Sequence, residues 1–206
     1  GVALGTILLP TLSKHALGRN PREFSKLLDW GLRLCCLLAA PAALGLAVLA
    51  YPLIATMFVN KGFTAHDAVM TKNALMACSF CVVGQIMIKV LAPAFYAEQN
   101  IKTPVKIAVF TLVVTQIMNL AFIVPLKHVG LSLSVGLGAC LNAALLYTLL
   151  RVKGLYRPEA GWRGFLAKLA AALAVMGGGL LAAQTLMPLE WIDVRGWQKA
   201  LQLFWL

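Results

Sequence analysis

Runs of mostly apolar residues, separated by short polar loops, occupy most of the 206-residue sequence. A helix that crosses a membrane needs about 20 such residues, each adding about 1.5 Å of length. The complete runs are 34–57, 70–96, 104–124, 131–150 and 165–186, and partial runs are 1–12 and 198–206. The pattern predicts an all-α polytopic membrane protein whose spans form a single transmembrane bundle.

The composition supports this fold class over a soluble domain. Apolar residues make up 61% of the chain and charged residues only 12%, whereas soluble domains have about 45–50% and about 25%. One soluble core of this size cannot bury such a surplus. Because the sequence opens on Gly1 and ends inside an apolar run, we expect a bundle truncated at both ends and belonging to a longer protein.

The distribution of cations predicts how the spans are oriented. Of the 18 Lys and Arg residues, 12 lie in the segments 13–33, 97–106 and 151–168, and 5 lie in the alternate set of loops. Cytoplasmic loops of membrane proteins collect Lys and Arg, which places the first set in the cytoplasm. No basic run with interleaved aromatic residues occurs, so the net charge of +11 does not indicate a nucleic-acid partner.

The segment 20–33 has a pattern of its own. Asn20 and Pro21 suit the cap and first turn of a helix. One face of this helix is formed by Phe24, Leu27, Leu28 and Gly31, and the charged residues Arg22, Lys26 and Asp29 lie elsewhere on it. The pattern predicts an amphipathic helix on the cytoplasmic surface. It serves either as a connector or as a lipid-binding segment.

Polar residues inside the spans are candidates for a transport cavity. Gln85 and Lys89 share a helical face with Cys81, and Thr115 and Asn119 stand four residues apart. Simpler interpretations remain open, because the Lys89 stem can extend to the interface and the other polar groups can bond between helices. The candidates for cavity-facing polar residues are Gln85, Lys89, Thr115 and Asn119.

The span 165–186 is rich in small residues. Such residues let helices pack closely, and they also suit a shallow groove for an acyl or isoprenoid chain. The candidates for this groove are Gly177, Gly178, Gly179 and Ala183.

Residue patterns of enzymes and metal sites are not found. The sequence has no cluster of His, Cys and carboxylate residues, no nucleophile elbow and no phosphate-binding loop. We therefore predict no catalytic residues, no metal, no cofactor and no enzyme activity.

Several stretches resemble the MurJ (MviN) family of lipid II flippases. They include "GVALGTILLPTLSKH" at the start, "DWGLRLCCLLAAPAALGL" in the first complete run and "KVLAPAFYAEQNIKTPVKIA" from Lys89 onward. The motifs recur in family order over essentially the whole chain, and they are most similar to proteobacterial members.

The resemblance implies a fold of fourteen helices in two lobes, of the class of multidrug/oligosaccharidyl-lipid/polysaccharide exporters. This chain would run from the end of helix 8 to the start of helix 14, in the multi-pass C-terminal lobe. The groove for the lipid tail would lie on helices 13 and 14, which favours the groove interpretation of Gly177–Gly179.

The implied activity is alternating-access transport of lipid II, an undecaprenyl-linked disaccharide-pentapeptide, across the bacterial inner membrane. The implied partners are lipid II, membrane lipids and the N-terminal lobe of the same protein. Without that lobe, we expect the chain alone to be inactive. The alternatives are a related exporter of drugs or of another polyprenyl-linked glycan, and a non-transporting membrane remnant.

Overall fold

The chain folds into helices joined by short connections. A computed structural model describes residues 10–14, 21–58 and 65–186. The helices are α1 (Pro21–Val48), α2 (Ala50–Phe58), α3 (Ala65–Ala97), α4 (Lys102–Val152) and α5 (Trp162–Leu186), and residues 10–14 are also helical. These described ranges contain no β-strand, and the predicted all-α fold class is confirmed.

Five described stretches are long and apolar enough to cross a membrane. They are Pro21–Val48, Val69–Ala97, Lys102–Val124, Val129–Val152 and Trp162–Thr185. The shortest has 23 residues and reaches about 35 Å, more than the hydrocarbon core of about 30 Å. The predicted partial run 198–206 lies outside the described residues, as do residues 1–9 of the predicted partial run 1–12.

Helix α1 begins in the segment predicted to lie on the membrane surface and continues into the first complete run without a break. Phe24 and Leu28, on the apolar face of that segment, are buried inside the protein. This face is therefore used for packing between helices. That the segment also lies along the membrane surface stays a prediction.

The apolar run 34–57 is divided between α1 and α2. Pro52 lies in the first turn of α2 and has no N–H to donate to the carbonyl of Val48. The side chain of Gln184 on α5 donates to that carbonyl at 3.1 Å. In a membrane, a carbonyl released by proline needs such a substitute donor, and here a neighbouring helix supplies it.

Helix α4 folds back on itself. It is helical over 51 residues, which would extend about 76 Å if straight. A Cβ on Gly138 would nevertheless overlap Thr115, and one on Gly130 would overlap Phe122. The chain therefore reverses direction between Phe122 and Gly130. This divides α4 into a first arm (Lys102–Val124) and a second arm (Val129–Val152), both of span length.

The second arm packs closely against α3. A Cβ built on Gly84 would lie 2.9 Å from the backbone nitrogen of Cys140, and one on Gly136 would overlap Cys81. Glycine at both positions lets the backbones approach each other, as small residues do between membrane helices.

A cluster of buried residues lies at one end of the bundle. It brings together Leu28 of α1, Phe95 of α3, Leu150 of α4 and Tyr156 of the α4–α5 connection, all at most 2% exposed. We call this end, formed by residues 21–33, 98–101 and 153–161, the loop end. It includes parts of the three segments rich in Lys and Arg, 13–33, 97–106 and 151–168.

Candidate functional site

A buried carboxylate, Asp29, joins α1 to the connection between α4 and α5. Asp29 is 2% exposed. Its Oδ1 accepts hydrogen bonds from Tyr156 Oη at 2.6 Å, from Trp162 Nε1 at 2.7 Å and from the Glu159 backbone N–H at 3.4 Å. We call Asp29, Arg33, Tyr156 and Trp162 the Asp29 cluster.

The charge of Asp29 is balanced by Arg33, one helical turn further along α1. Arg33 Nε lies 2.8 Å from Asp29 Oδ2, as an ion pair rather than an aligned hydrogen bond. The same guanidinium lies 5.5 Å from the centre of the Trp162 ring, within range of a cation–π interaction. A buried charge is tolerated when it is paired and hydrogen-bonded in this way.

Tyr156 acts in this cluster as a permanent donor. Burial raises the pKa of its hydroxyl above the ordinary value, and the hydrogen bond to Asp29 and the negative charge of Asp29 raise it further. The proton therefore stays on Tyr156, where Asp29 Oδ1 accepts from it.

A second junction lies beside the cluster. Ser25 Oγ donates to the carbonyl oxygen of Arg157 at 3.0 Å and accepts from the backbone N–H of Arg157 at 2.9 Å. Together the two junctions fix residues 156–162 against α1. Because its oxygens are already occupied by donors, Asp29 is arranged for holding this connection rather than for proton transfer.

The sequence analysis did not identify the Asp29 cluster. Asp29 and Tyr156 are 127 residues apart, and helical periodicity relates only residues within one helix. The one local signal was the spacing of Asp29 and Arg33, which suits an ion pair on a helix.

Two cavities flank the segment 157–159. A crevice of about 740 Å³, mostly apolar, lies between α1, α3, the second arm of α4 and the start of α5. A second cleft, of about 560 Å³, has charged residues in its lining, among them Arg22, Lys26, Arg157 and Glu159. Pro158 and Glu159 border both spaces.

The predicted cavity-facing residues fall into two groups. Gln85 and Lys89 are exposed on α3 and line neither of these two cavities. Cys81, from the same predicted face, is buried, and its thiol donates to the carbonyl of Ser132 at 3.5 Å. The predicted polar stripe therefore has one end packed on the second arm and the other end open.

Thr115 and Asn119 lie in the first arm of α4. Thr115 Oγ1 donates to the carbonyl of Thr111 at 2.7 Å, and Asn119 Nδ2 donates to Gln116 Oε1 at 3.3 Å. Both bonds are within one helix. That these two side chains face a transport cavity stays a prediction.

The small residues of α5 have a packed side and an open side. A Cβ on Gly177 would lie 3.3 Å from Leu44 Cδ2 of α1, whereas a Cβ on Gly178 or Gly179 would meet no described atom within 4 Å. Ala183 is half-buried. Gly177 thus serves helix packing, and the groove predicted here would have to lie on the open side.

Metal binding has no support in the described ranges. Across residues 10–14, 21–58 and 65–186, no group of three or more His, Cys, Asp and Glu side chains is placed to hold a metal ion.

The fold and the site define a multi-pass α-helical membrane protein whose helices are joined at one end by a buried, paired carboxylate. Residues 1–195 match the family described as Lipid II flippase MurJ. The chain belongs to this family, which confirms the resemblance noted in the sequence. The family is one of flippases, in agreement with the prediction that the chain is not an enzyme.

Individual relatives support the assignment. A Burkholderia cenocepacia protein named Lipid II flippase MurJ is 52% identical over 178 residues, which are 86% of this chain and 34% of that protein. A Vibrio cholerae protein named Probable lipid II flippase MurJ is 36% identical over 203 residues, 98% of this chain and 38% of that protein. The chain thus spans well under half the length of these relatives.

A solved structure shares the fold. It is described as Lipid II flippase MurJ, inward closed conformation, and matches with a TM-score of 0.64 over 89% of this chain and 43% of that chain. The sequence identity is 16%, so this likeness concerns the arrangement of the helices.

Proposed function

We propose that this chain is the C-terminal part of a lipid II flippase, which moves undecaprenyl-linked peptidoglycan precursor from the cytoplasmic to the periplasmic leaflet by alternating access. The observation that carries the proposal is the family match over residues 1–195. The five described stretches able to cross a membrane are consistent with a transporter.

The proposed membrane is the bacterial inner membrane, with the loop end in the cytoplasm. The loop end is formed by parts of the three cation-rich segments 13–33, 97–106 and 151–168, and Lys and Arg are retained on the cytoplasmic side of membrane proteins. Lys153 Nζ at 5.5 Å from the centre of the Phe95 ring and Ser25 at 3.0 Å from Arg157 support a common side for these segments.

The proposed transport cavity would lie between this bundle and an N-terminal lobe of the same protein. Gln85 and Lys89 are exposed on a span-length helix, and a lysine exposed to hydrocarbon would be costly. An aqueous cavity next to that face would hydrate both side chains. Thr115 and Asn119 would add polar groups to the same cavity.

The proposed contact with the lipid tail is the open side of α5. Gly178 and Gly179 have free space beside them, as a shallow groove requires. Gly177 and Ala183 would form the border of that groove, because Gly177 packs on α1 and Ala183 is half-buried.

A chimera tests the function. In the Burkholderia cenocepacia relative, the 178 matched residues are replaced by the corresponding residues of this chain, in a strain depleted of that relative. We expect growth to be restored and lipid II to reach the outer leaflet, measured as its cleavage by an added enzyme that does not enter cells. The 206-residue chain expressed alone serves as the comparison and is expected not to restore growth.

The outcomes separate the alternatives. A chimera that is inserted at the normal level but restores neither growth nor lipid II exposure would contradict the proposal. Restored growth with lipid II still confined to the inner leaflet would indicate an exporter of another substrate. Rescue by the 206-residue chain alone would show that the N-terminal lobe is not needed.

A further inference from the structure

The deep end of the apolar crevice next to the Asp29 cluster lies about one membrane leaflet from the loop end. Its deep end is at Gly84 and Cys140, and its outer end is at Trp162 and Arg163. From Gly84 to the end of α3 at Ala97 the axial distance is about 20 Å, and from Cys140 to the end of α4 it is about 18 Å. Half of the hydrocarbon core is about 15 Å.

The walls of the crevice suit a hydrocarbon chain. Leu32, Val83 and Met87 are apolar, and Ala143 and Ala144 are small enough to leave space between α3 and the second arm. Its volume of about 740 Å³ falls within the range of about 300–1,000 Å³ typical of ligand sites. Because these walls belong to span-length helices, the ligands at hand are membrane lipids.

The outer end carries one charge of each sign. Arg163 and Glu159 both line the crevice there, and both are exposed. Trp162, which comes between them in the sequence, also lines the crevice and donates its indole N–H to Asp29. A guanidinium suits a phosphate, and a carboxylate suits an ammonium group, so this end fits a headgroup that has both.

We propose that the crevice binds one phosphatidylethanolamine molecule from the leaflet at the loop end. One acyl chain lies between α3 and the second arm and reaches Gly84 and Cys140. The phosphate contacts Arg163 and the ammonium contacts Glu159. This site is separate from the open side of α5 proposed for the tail of the transported lipid, and it does not depend on the transport function.

The test uses phosphatidylethanolamine with a photoreactive group at the end of one acyl chain. The full-length protein is reconstituted in lipid nanodiscs that contain this probe. After irradiation and digestion, the labelled peptides are identified by mass spectrometry. We expect labelling to concentrate on residues 83–87 and 140–144. Unlabelled phosphatidylethanolamine is expected to compete about fivefold better than phosphatidylglycerol, which lacks the ammonium group.

Variants connect the labelling to the crevice. Ala144→Trp fills it and is expected to lower labelling of these peptides at least fivefold, and Ala144→Leu is a milder filler in case the tryptophan prevents folding. The matched control is Ala172→Trp on the exposed side of α5, which should leave labelling unchanged. Glu159→Gln keeps the backbone N–H that donates to Asp29. It is expected to remove the preference of the crevice for phosphatidylethanolamine over phosphatidylglycerol.

Arg163→Gln is expected to lower labelling about fivefold, the effect of about one basic residue near a membrane surface. Its matched control is Lys168→Gln, an exposed cation of the same helix that lies outside the crevice.

Four results would overturn the inference. Equal labelling of the crevice and of the exposed side of the first arm would show general contact with lipid. Labelling within residues 187–206 in place of the crevice peptides would show that the chain itself covers the space. Equal competition by phosphatidylglycerol would exclude the assigned headgroup. A chimera that transports lipid II without crevice labelling refutes this inference alone.

Discussion

Replacing Tyr156 with phenylalanine isolates one hydrogen bond of the Asp29 cluster. The change removes the hydroxyl that donates to Asp29 Oδ1 at 2.6 Å and keeps the ring in the buried core. Asp29 retains its bonds from Trp162 and the Glu159 backbone N–H and its ion pair with Arg33. We therefore expect the connection 153–161 to open more often while the bundle stays folded.

The size of the effect follows from the charge of the acceptor. A hydrogen bond to a charged group contributes about 1.5–3 kcal/mol, so local opening should become about 10- to 150-fold more frequent. Hydrogen exchange measures this opening. The informative amides are those of Arg157, which donates to Ser25 Oγ at 2.9 Å, and Glu159, which donates to Asp29 Oδ1 at 3.4 Å.

Tyr147→Phe is the matched control. Tyr147 packs edge-on against Tyr156 with ring centres 5.5 Å apart, and the hydroxyl of Tyr147 does not bond to Asp29, so its loss should leave exchange in 153–161 unchanged. If Tyr156→Phe and Tyr147→Phe both exchange at the wild-type rate in this segment, the Asp29 cluster does not hold the connection, and the reasoning is refuted.

Three further changes test other contacts. Gly138→Val forces the arms of α4 apart and should lower stability by about 1–3 kcal/mol, whereas Gly178→Val, which meets open space, should not; thermal unfolding in detergent compares them. Gln184→Met removes the donor to the Val48 carbonyl and should cost about 1–3 kcal/mol in the same assay. Raising the pH above 10 should destabilise the wild type more than Tyr156→Phe, because the folded state keeps a tyrosine proton that the unfolded chain, with a pKa of 10, releases.

Each of these expectations has a contrary result. Equal melting of the two glycine variants would mean that the arms do not meet closely at Gly138. Unchanged melting of Gln184→Met would mean that water or lipid satisfies the carbonyl equally well. Parallel losses of stability in the wild type and Tyr156→Phe between pH 9 and pH 11 would mean that this hydroxyl is not held in its protonated form.

The sequence was informative about features that depend on length and hydrophobicity. Span-length apolar runs predicted an all-α membrane protein because every backbone polar group in hydrocarbon must bond within its own helix. The break before α2 could be predicted only in part. Pro52 indicates a weakened helix, but the sequence does not reveal that Gln184 bonds to the freed carbonyl.

The site was harder to predict because it is made of contacts between distant segments. Asp29 lies in a segment that the sequence predicted only as an amphipathic helix, and its side-chain donors lie 127 and 133 residues away. Conversely, the sequence shows Gly177–Gly179 as one uniform run of small residues, but of these three only Gly177 packs on α1. Which side of a helix meets a neighbour is set by the bundle, and composition alone carries no information about it.

Helices α1 and α5 contact each other at three points along their lengths, and these contacts constrain any transport motion. Asp29 holds Trp162, Leu44 packs on Gly177, and the Val48 carbonyl accepts from Gln184. The first two contacts are 15 residues apart along both helices, so α1 and α5 run parallel and in step over about 22 Å. Sliding either helix would break a partly buried hydrogen bond at each end at once. We therefore infer that α1 and α5 move as one body, and that a lipid tail on the open side of α5 would be carried with the bundle.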